Sequence, residues 1–156
     1  MKLLKADQEN LVFQIGKREK RMLFEVLTLY PLLPSTYQRL TRTVKSDEEK
    51  ADQKLLEEAM AAQQQENRKQ LKTMMDNPNR FKEHHAGFHF TLGVHQVEWL
   101  LQVLNDIRVG SWLALGSPDE KKGKRLALEA GSVRHLWAME ICGFFQSVLI
   151  EACLEL

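Results

Sequence analysis

Near the start of the chain, Leu11, Phe13 and Ile15 alternate with Val12 and Gln14. That period of two predicts a strand with one buried face. Leu3-Leu4 stands before the polar run Asp7-Gln8-Glu9-Asn10, so residues 2–15 form an expected hairpin. A lone hairpin is marginal in water and needs a further strand or a helix to cover it. Phe88, Phe90 and Leu92 alternate with His89 and Thr91, which makes Gly87–Leu92 the expected third strand, paired with the hairpin.

The rest of the pattern is helical. Leu23, Val26, Leu27 and Tyr30 recur at three- and four-residue spacing in a first helix over Lys17–Leu32, which Pro31 and Pro34 bring to an end. Ser46 followed by Glu49 fits a capping box, with Asp47 and Glu48 favouring the helix start. A long second helix runs from there to Asn77-Pro78-Asn79. Its middle, Ala61–Gln70, is helix-prone but poorly apolar, so residues 46–77 read as a protruding helix packed at its ends, with partial disorder of the segment as the alternative. A third helix spans Val94–Leu115 and stops at Gly116-Ser117-Pro118. Leu100, Leu104, Ile107 and Ser111 line one of its faces. A last helix over Ser132–Leu154 is apolar nearly all round, the mark of a central or doubly covered helix. The expected fold is mainly α, a single domain over residues 1–156. At least three helices form its core, with a small three-stranded antiparallel sheet.

Composition narrows the class. With 156 residues, 44% hydrophobic and 28% charged, the chain fits one globular domain; disorder, collagen and disulfide scaffolds are excluded. No apolar run reaches roughly 18 residues, so no membrane span is expected. The opening Met1-Lys2-Leu3-Leu4-Lys5 is too short an apolar stretch for a signal peptide. Cys142 and Cys153, eleven residues apart on one helix, would lie about 16 Å from each other. A disulfide needs Cα atoms within about 7 Å, so two free thiols in a reducing cytoplasm are expected.

The net charge of +1 argues against a chain built to neutralise nucleic-acid phosphates. Its distribution is uneven. Residues 17–45 hold seven bases and two acids, residues 46–77 eight acids and five bases, and residues 136–156 three acids and no base. Internal pairing of the first block with the other two is the simplest account. The sharper one is a partner-facing basic patch of Lys17, Arg18, Lys20 and Arg21. Lys121, Lys122, Lys124 and Arg125 form a second patch, and neither has neighbouring aromatic residues in the sequence for stacking on bases.

Candidate chemistry is sparse. His84, His85, His89 and His95 fall within twelve residues, but their spacing fits no zinc pattern, so no metal site is assigned. Gly-x-Ser-x-Gly, phosphate-loop and Gly-x-Gly-x-x-Gly motifs are absent, and no catalytic residue or cofactor is assigned. The most informative stretch is Trp99–Val109. Asn105, Asp106 and Arg108 sit mid-helix in a segment otherwise built for burial. Buried polar groups must be paired, so Arg108 is expected to pair with Asp106 or Glu140, with Gln146 as a further partner on the last helix. Such a cluster sets helix register as scaffolding, or it lines a small ligand pocket.

The same stretch carries a resemblance. Trp99, Leu104, Asn105, Asp106 and Arg108, followed by Glu140, Gly143, Phe144, Phe145 and Gln146, resemble an uncharacterised, mostly actinobacterial domain-of-unknown-function family. That family has a Trp…Leu-Asn-Asp-Leu-Arg helix and a terminal helix with acid-x-x-Gly-aromatic-Leu-Gln. The likeness covers residues 92–152, and the Gln-rich helix has no counterpart in it. The resemblance implies a small, mainly helical cytosolic bacterial protein. Members are often encoded near an adaptor of the N-end-rule protease, which implies regulation linked to proteolysis. The expected function is therefore a non-enzymatic interaction or regulatory module with a protein partner or a second copy. The alternatives are a ligand site or enzyme at Asn105, Asp106, Arg108 and Glu140, and nucleic-acid binding through the basic patches.

Overall fold

A computed structural model describes residues 1–37, 46–117 and 130–156. The second basic patch at 121–125 and the cations Arg39, Arg42 and Lys45 lie outside the described residues. The elements run β1 (Lys2–Ala6), β2 (Asn10–Ile15), α1 (Lys17–Leu27), α2 (Asp47–Asp76), β3 (Phe81–His84), β4 (Gly87–Gly93), α3 (Val94–Ala114) and α4 (Ala130–Cys153). The fold is mainly α with one antiparallel sheet.

That sheet has four strands in the order β1-β2-β4-β3, so the expected count of three is too low. Phe81–His84 holds one buried residue in four, too little for a visible alternation. Its pairing comes from a tight hairpin across His85-Ala86, with His84 opposite Gly87. Gly87 has φ +146°, and a Cβ there would lie 2.4 Å from the Ile15 carbonyl oxygen. Only glycine lets β4 begin this close to the end of β2. Across the sheet Leu3, Phe13, Phe90 and Phe81 stand in one row. The Phe81 and Phe90 rings stack at 4.4 Å, and Phe24 of α1 meets the Phe81 ring edge-on at 5.2 Å. The row fastens α1 to the sheet, each aromatic pair adding about 0.5–1.5 kcal/mol beyond its buried area.

Helix α1 ends at Leu27, five residues before the expected limit. Thr28 turns its hydroxyl back to the Glu25 carbonyl at 2.6 Å. The chain then crosses the core surface through Tyr30–Leu33. All four stripe residues, Leu23, Val26, Leu27 and Tyr30, are buried. Helix α2 begins in the expected capping box: the Ser46 hydroxyl accepts from the Glu49 N–H at 3.2 Å, and the Glu49 carboxylate accepts from the Ser46 N–H at 3.3 Å. At about 1.5 Å per residue its thirty residues span roughly 45 Å. Its buried residues are Asn67, Leu71 and Met74, all in the second half. The helix is therefore packed along its C-terminal half and not at both ends. Leu55 in the first half is 64% exposed.

Helices α3 and α4 form the main helix pair. Leu100, Leu104, Ile107 and Ser111 of α3 are buried as expected. Helix α4 buries a single stripe, Ala138, Cys142, Phe145, Leu149 and Ala152, at successive helical turns. It is not covered on both sides: Phe144 is 41% and Ile150 51% exposed. An 18-residue window within Gly131–Cys153 reaches a mean hydropathy of 1.4, so by length and composition this helix is apolar enough to cross a bilayer and the run-length exclusion does not extend to it. Here its buried stripe lies in the common core with α3.

The passage of the segment after α1 over α3 needs Gly110, where a Cβ would come within 2.3 Å of the Leu32 Cβ and 2.9 Å of the Leu32 carbonyl carbon. Gly143 on α4 has nothing within 4 Å of such a Cβ. Gly110→Ala is expected to destabilise the fold by about 1–3 kcal/mol through overpacking. Gly143→Ala is expected to gain about 0.5–1 kcal/mol from helix propensity. Denaturant unfolding of both variants checks the contrast, and equal effects would refute the close crossing.

Candidate functional site

The polar trio of α3 does not act as one cluster. Asp106 turns toward the crossing after α1, where one carboxylate oxygen accepts the Leu32 N–H at 2.8 Å and the Leu33 N–H at 3.2 Å. Burial raises the Asp106 pKa, and these two hydrogen bonds oppose the rise without cancelling it. Arg108 forms no ion pair with Asp106 or Glu140. Its guanidinium donates to the Gln146 side-chain oxygen at 3.3 Å, so the expected acid partner is replaced by the amide. Arg108 and Glu140 are exposed and border a shallow depression with Met139, Gly143, Phe144 and Ser147. Asn105 is exposed. Successive helical residues point about 100° apart, and Asp106 shares its face with Gly110 rather than with its neighbours in sequence.

Sequence reasoning missed the polar centre that does form. Asn67 of α2, 7% exposed, donates to the Tyr30 hydroxyl at 2.9 Å and accepts from the Trp99 indole N–H at 3.0 Å and from Gln63 at 3.0 Å. Gln64 donates to the Leu33 carbonyl at 2.7 Å. Burial raises the Tyr30 pKa, with the Asn67 bond acting against it. The signal available in the sequence was the polar, Gln-rich middle of a long helix, which reads as a solvated face. The contacts that give Asn67 its role come from the segment after α1, through Tyr30, and from α3, through Trp99.

The basic patch does converge on a concave surface. Lys17, Lys20 and Arg21 of α1 line a groove of about 1150 Å³ with Arg134 at the start of α4. Phe24, Leu29, Met75, Phe88, Val133 and Trp137 give it an apolar lining, and among the described residues Glu25 and Asp76 are its acids. Lys20 lies over three rings, 4.0 Å from the centre of Phe88, 4.8 Å from Phe81 and 5.3 Å from Phe24. The expectation of a patch without aromatic neighbours is therefore corrected: Phe81, Phe88 and Trp137 arrive from distant parts of the chain. Among the described residues, the ion pair made by the patch is Arg21 with Glu25 at 3.8 Å, both exposed. Such a pair contributes about 0–1 kcal/mol. Asp76 of α2 shares the groove lining with Lys17, Lys20 and Arg21. Arg18 is exposed and does not line the groove.

The remaining candidates stand apart from this groove. The His84 and His89 rings stack at 4.4 Å, with His85 at 5.2 Å from His84, while His95 faces Glu98 at 3.9 Å. Among the described residues, no three His, Cys, Asp or Glu side chains gather in a metal-binding arrangement. Cys142 and Cys153 are free thiols. Burial pushes the Cys142 thiol up to about 12, against a weaker lowering by Arg108, so it stays protonated near neutral pH. In comparisons with models of protein families, with curated proteins and with solved structures, nothing matches this chain.

The Asp106 contact has a definite pH signature. Its folded pKa lies above the ordinary 3.8, so the folded chain holds this proton more tightly than the unfolded one. The resulting stabilisation is complete below 3.8 and is lost as pH rises through the folded value. Asp106→Asn keeps an oxygen acceptor without a charge, and its stability relative to the parent is expected to grow with rising pH across that window. Asp106→Ala leaves two N–H groups without an acceptor and is expected to cost about 1–3 kcal/mol. Denaturant midpoints of the three chains against pH check this, and an advantage of the Asn variant that shrinks with pH would refute it.

Proposed function

We propose that this chain is a non-enzymatic protein-interaction module whose α1–α4 groove seats a segment of a partner protein. The carrying observation is the size and lining of the groove. Its volume of about 1150 Å³ exceeds the roughly 300–1,000 Å³ of ordinary small-molecule pockets, and its apolar lining comes from α1, α2, β4 and α4 together. Contiguous exposed apolar surface rimmed by charge marks interaction sites more often than it marks solvated surface. Regulation linked to proteolysis in a bacterial cytoplasm, as the resemblance implies, is a narrower form of this proposal. The seated segment would then belong to a component of that proteolytic system.

A photo-crosslinking residue installed at Thr28, in the groove wall, tests the reading against the same residue installed at Gln102, exposed on α3. In cells, protein adducts are expected from position 28 and not from position 102. Val133→Glu, which puts a carboxylate into the apolar lining, is expected to reduce those adducts about tenfold or more with an unchanged melting temperature. Equal adduct yields from the two positions would overturn the proposal.

A further inference from the structure

The charges around the groove narrow the chemistry of its occupant, given that it is a protein-docking site as proposed above. Among the described residues, Lys17, Lys20, Arg21 and Arg134 line it against two carboxylates, Glu25 and Asp76. One of those carboxylates, Glu25, is already engaged by Arg21. Lys20 is held over the rings of Phe24, Phe81 and Phe88, so its positive charge sits at the boundary between the apolar floor and the open side. Lys17 and Arg21 stand one helical turn apart on the same wall, and Arg134 enters from α4. A segment that fills this space meets Phe24, Met75, Phe88, Val133 and Trp137 below and an excess of cations at the rim. An apolar anchor alone would leave that excess uncompensated; a cationic one would be repelled by it. We infer that the groove takes an acidic amphipathic segment, with large apolar side chains entering between Phe88 and Trp137 and its carboxylates set against Lys17, Arg21 and Arg134.

Three fluorescent amphipathic peptides test this, sharing one leucine face and differing only in a polar face of Glu, Gln or Lys. Fluorescence anisotropy with the full chain is expected to show the Glu peptide binding about tenfold tighter than the Gln peptide, and the Lys peptide weakest. The preference is expected to shrink as salt rises. The exposed double variant Lys17→Glu with Arg21→Glu, checked for an unchanged melting temperature, is expected to reverse the order of the Glu and Lys peptides. Equal binding of the Glu and Gln peptides would overturn the acidic preference while leaving docking at Thr28 intact. Loss of the Thr28 adducts with the peptide order preserved would instead remove the docking proposal and leave the charge preference. Failure of all three peptides to bind, or their displacement by mixed-sequence single-stranded RNA or by anionic phosphatidylglycerol vesicles, would overturn the inference in favour of another anionic partner.

Discussion

The whole arrangement depends on how the short crossing after α1 is held. Between Leu27 and Leu33 the chain leaves the helix, and the Leu32 and Leu33 N–H groups lose any helical partner. Asp106 supplies the acceptor for both, Gly110 opens the space for the Leu32 backbone, and Gln64 takes the Leu33 carbonyl. Asn67 then fixes Tyr30 and Trp99 around the same point. The carboxylate is stabilised by two hydrogen bonds and still disfavoured by burial, since its pKa stays raised. It is thus a poor source of stability and a strong source of position. An alternative crossing would leave two backbone donors and a half-buried carboxylate unmatched at once, at a cost of about 1–3 kcal/mol for each unsatisfied group. Because α1 carries Lys17, Lys20 and Arg21, fixing the crossing also fixes the basic wall of the groove.

Lys20 shows how charge and apolar lining coexist in that wall. A solvated lysine would leave Phe24 and Phe88 open to water, and a buried one would lose hydration without a counter-charge. Its ammonium over three rings does neither: the ring faces replace part of its hydration. Such contacts contribute about 0.5–1 kcal/mol at exposed sites and about 2 kcal/mol when desolvated. The same rings are tied to the sheet through Phe81 on Phe90. The wall is therefore rigid from α1 through to β4, and an occupant would meet a preformed surface with little ordering cost.

The legible parts of the fold are those governed by local periodicity. Leu11, Phe13 and Ile15 face the core as their alternation requires, and Ser46 with Glu49 starts α2 where the capping box places it. The β3 strand was hidden because Phe81 alone carries its apolar face and its partner is set by a two-residue turn. The trio Asn105, Asp106 and Arg108 misled for a geometric reason: adjacency in a helix separates side chains rather than gathering them. The residues that do gather, Asn67 with Tyr30 and Trp99, are 37 and 32 positions apart. The basic half of the groove was readable in Lys17–Arg21. Of its aromatic half only Phe24 lies beside them in the sequence; Phe88 and Trp137 join it through sheet register and helix packing.

The one-sided packing of α4 connects the core to the groove. A helix apolar around its circumference can bury only the stripe that its neighbours reach, here Ala138 to Ala152. Its first turns extend past that stripe, so Val133 and Trp137 are left beside α1 with Arg134 next to them. The exposed side of α4 mixes Arg134, Glu140, Ser147 and Glu151 with apolar residues, and the apolar surface left beside α1 is worth roughly 25 cal/mol per Å² to any segment that covers it. That gain is non-directional and would accept many partners, so selectivity has to come from the cations around it. The groove's apolar floor thus supplies the drive to bind, and Lys17, Arg21 and Arg134 decide which chains can use it.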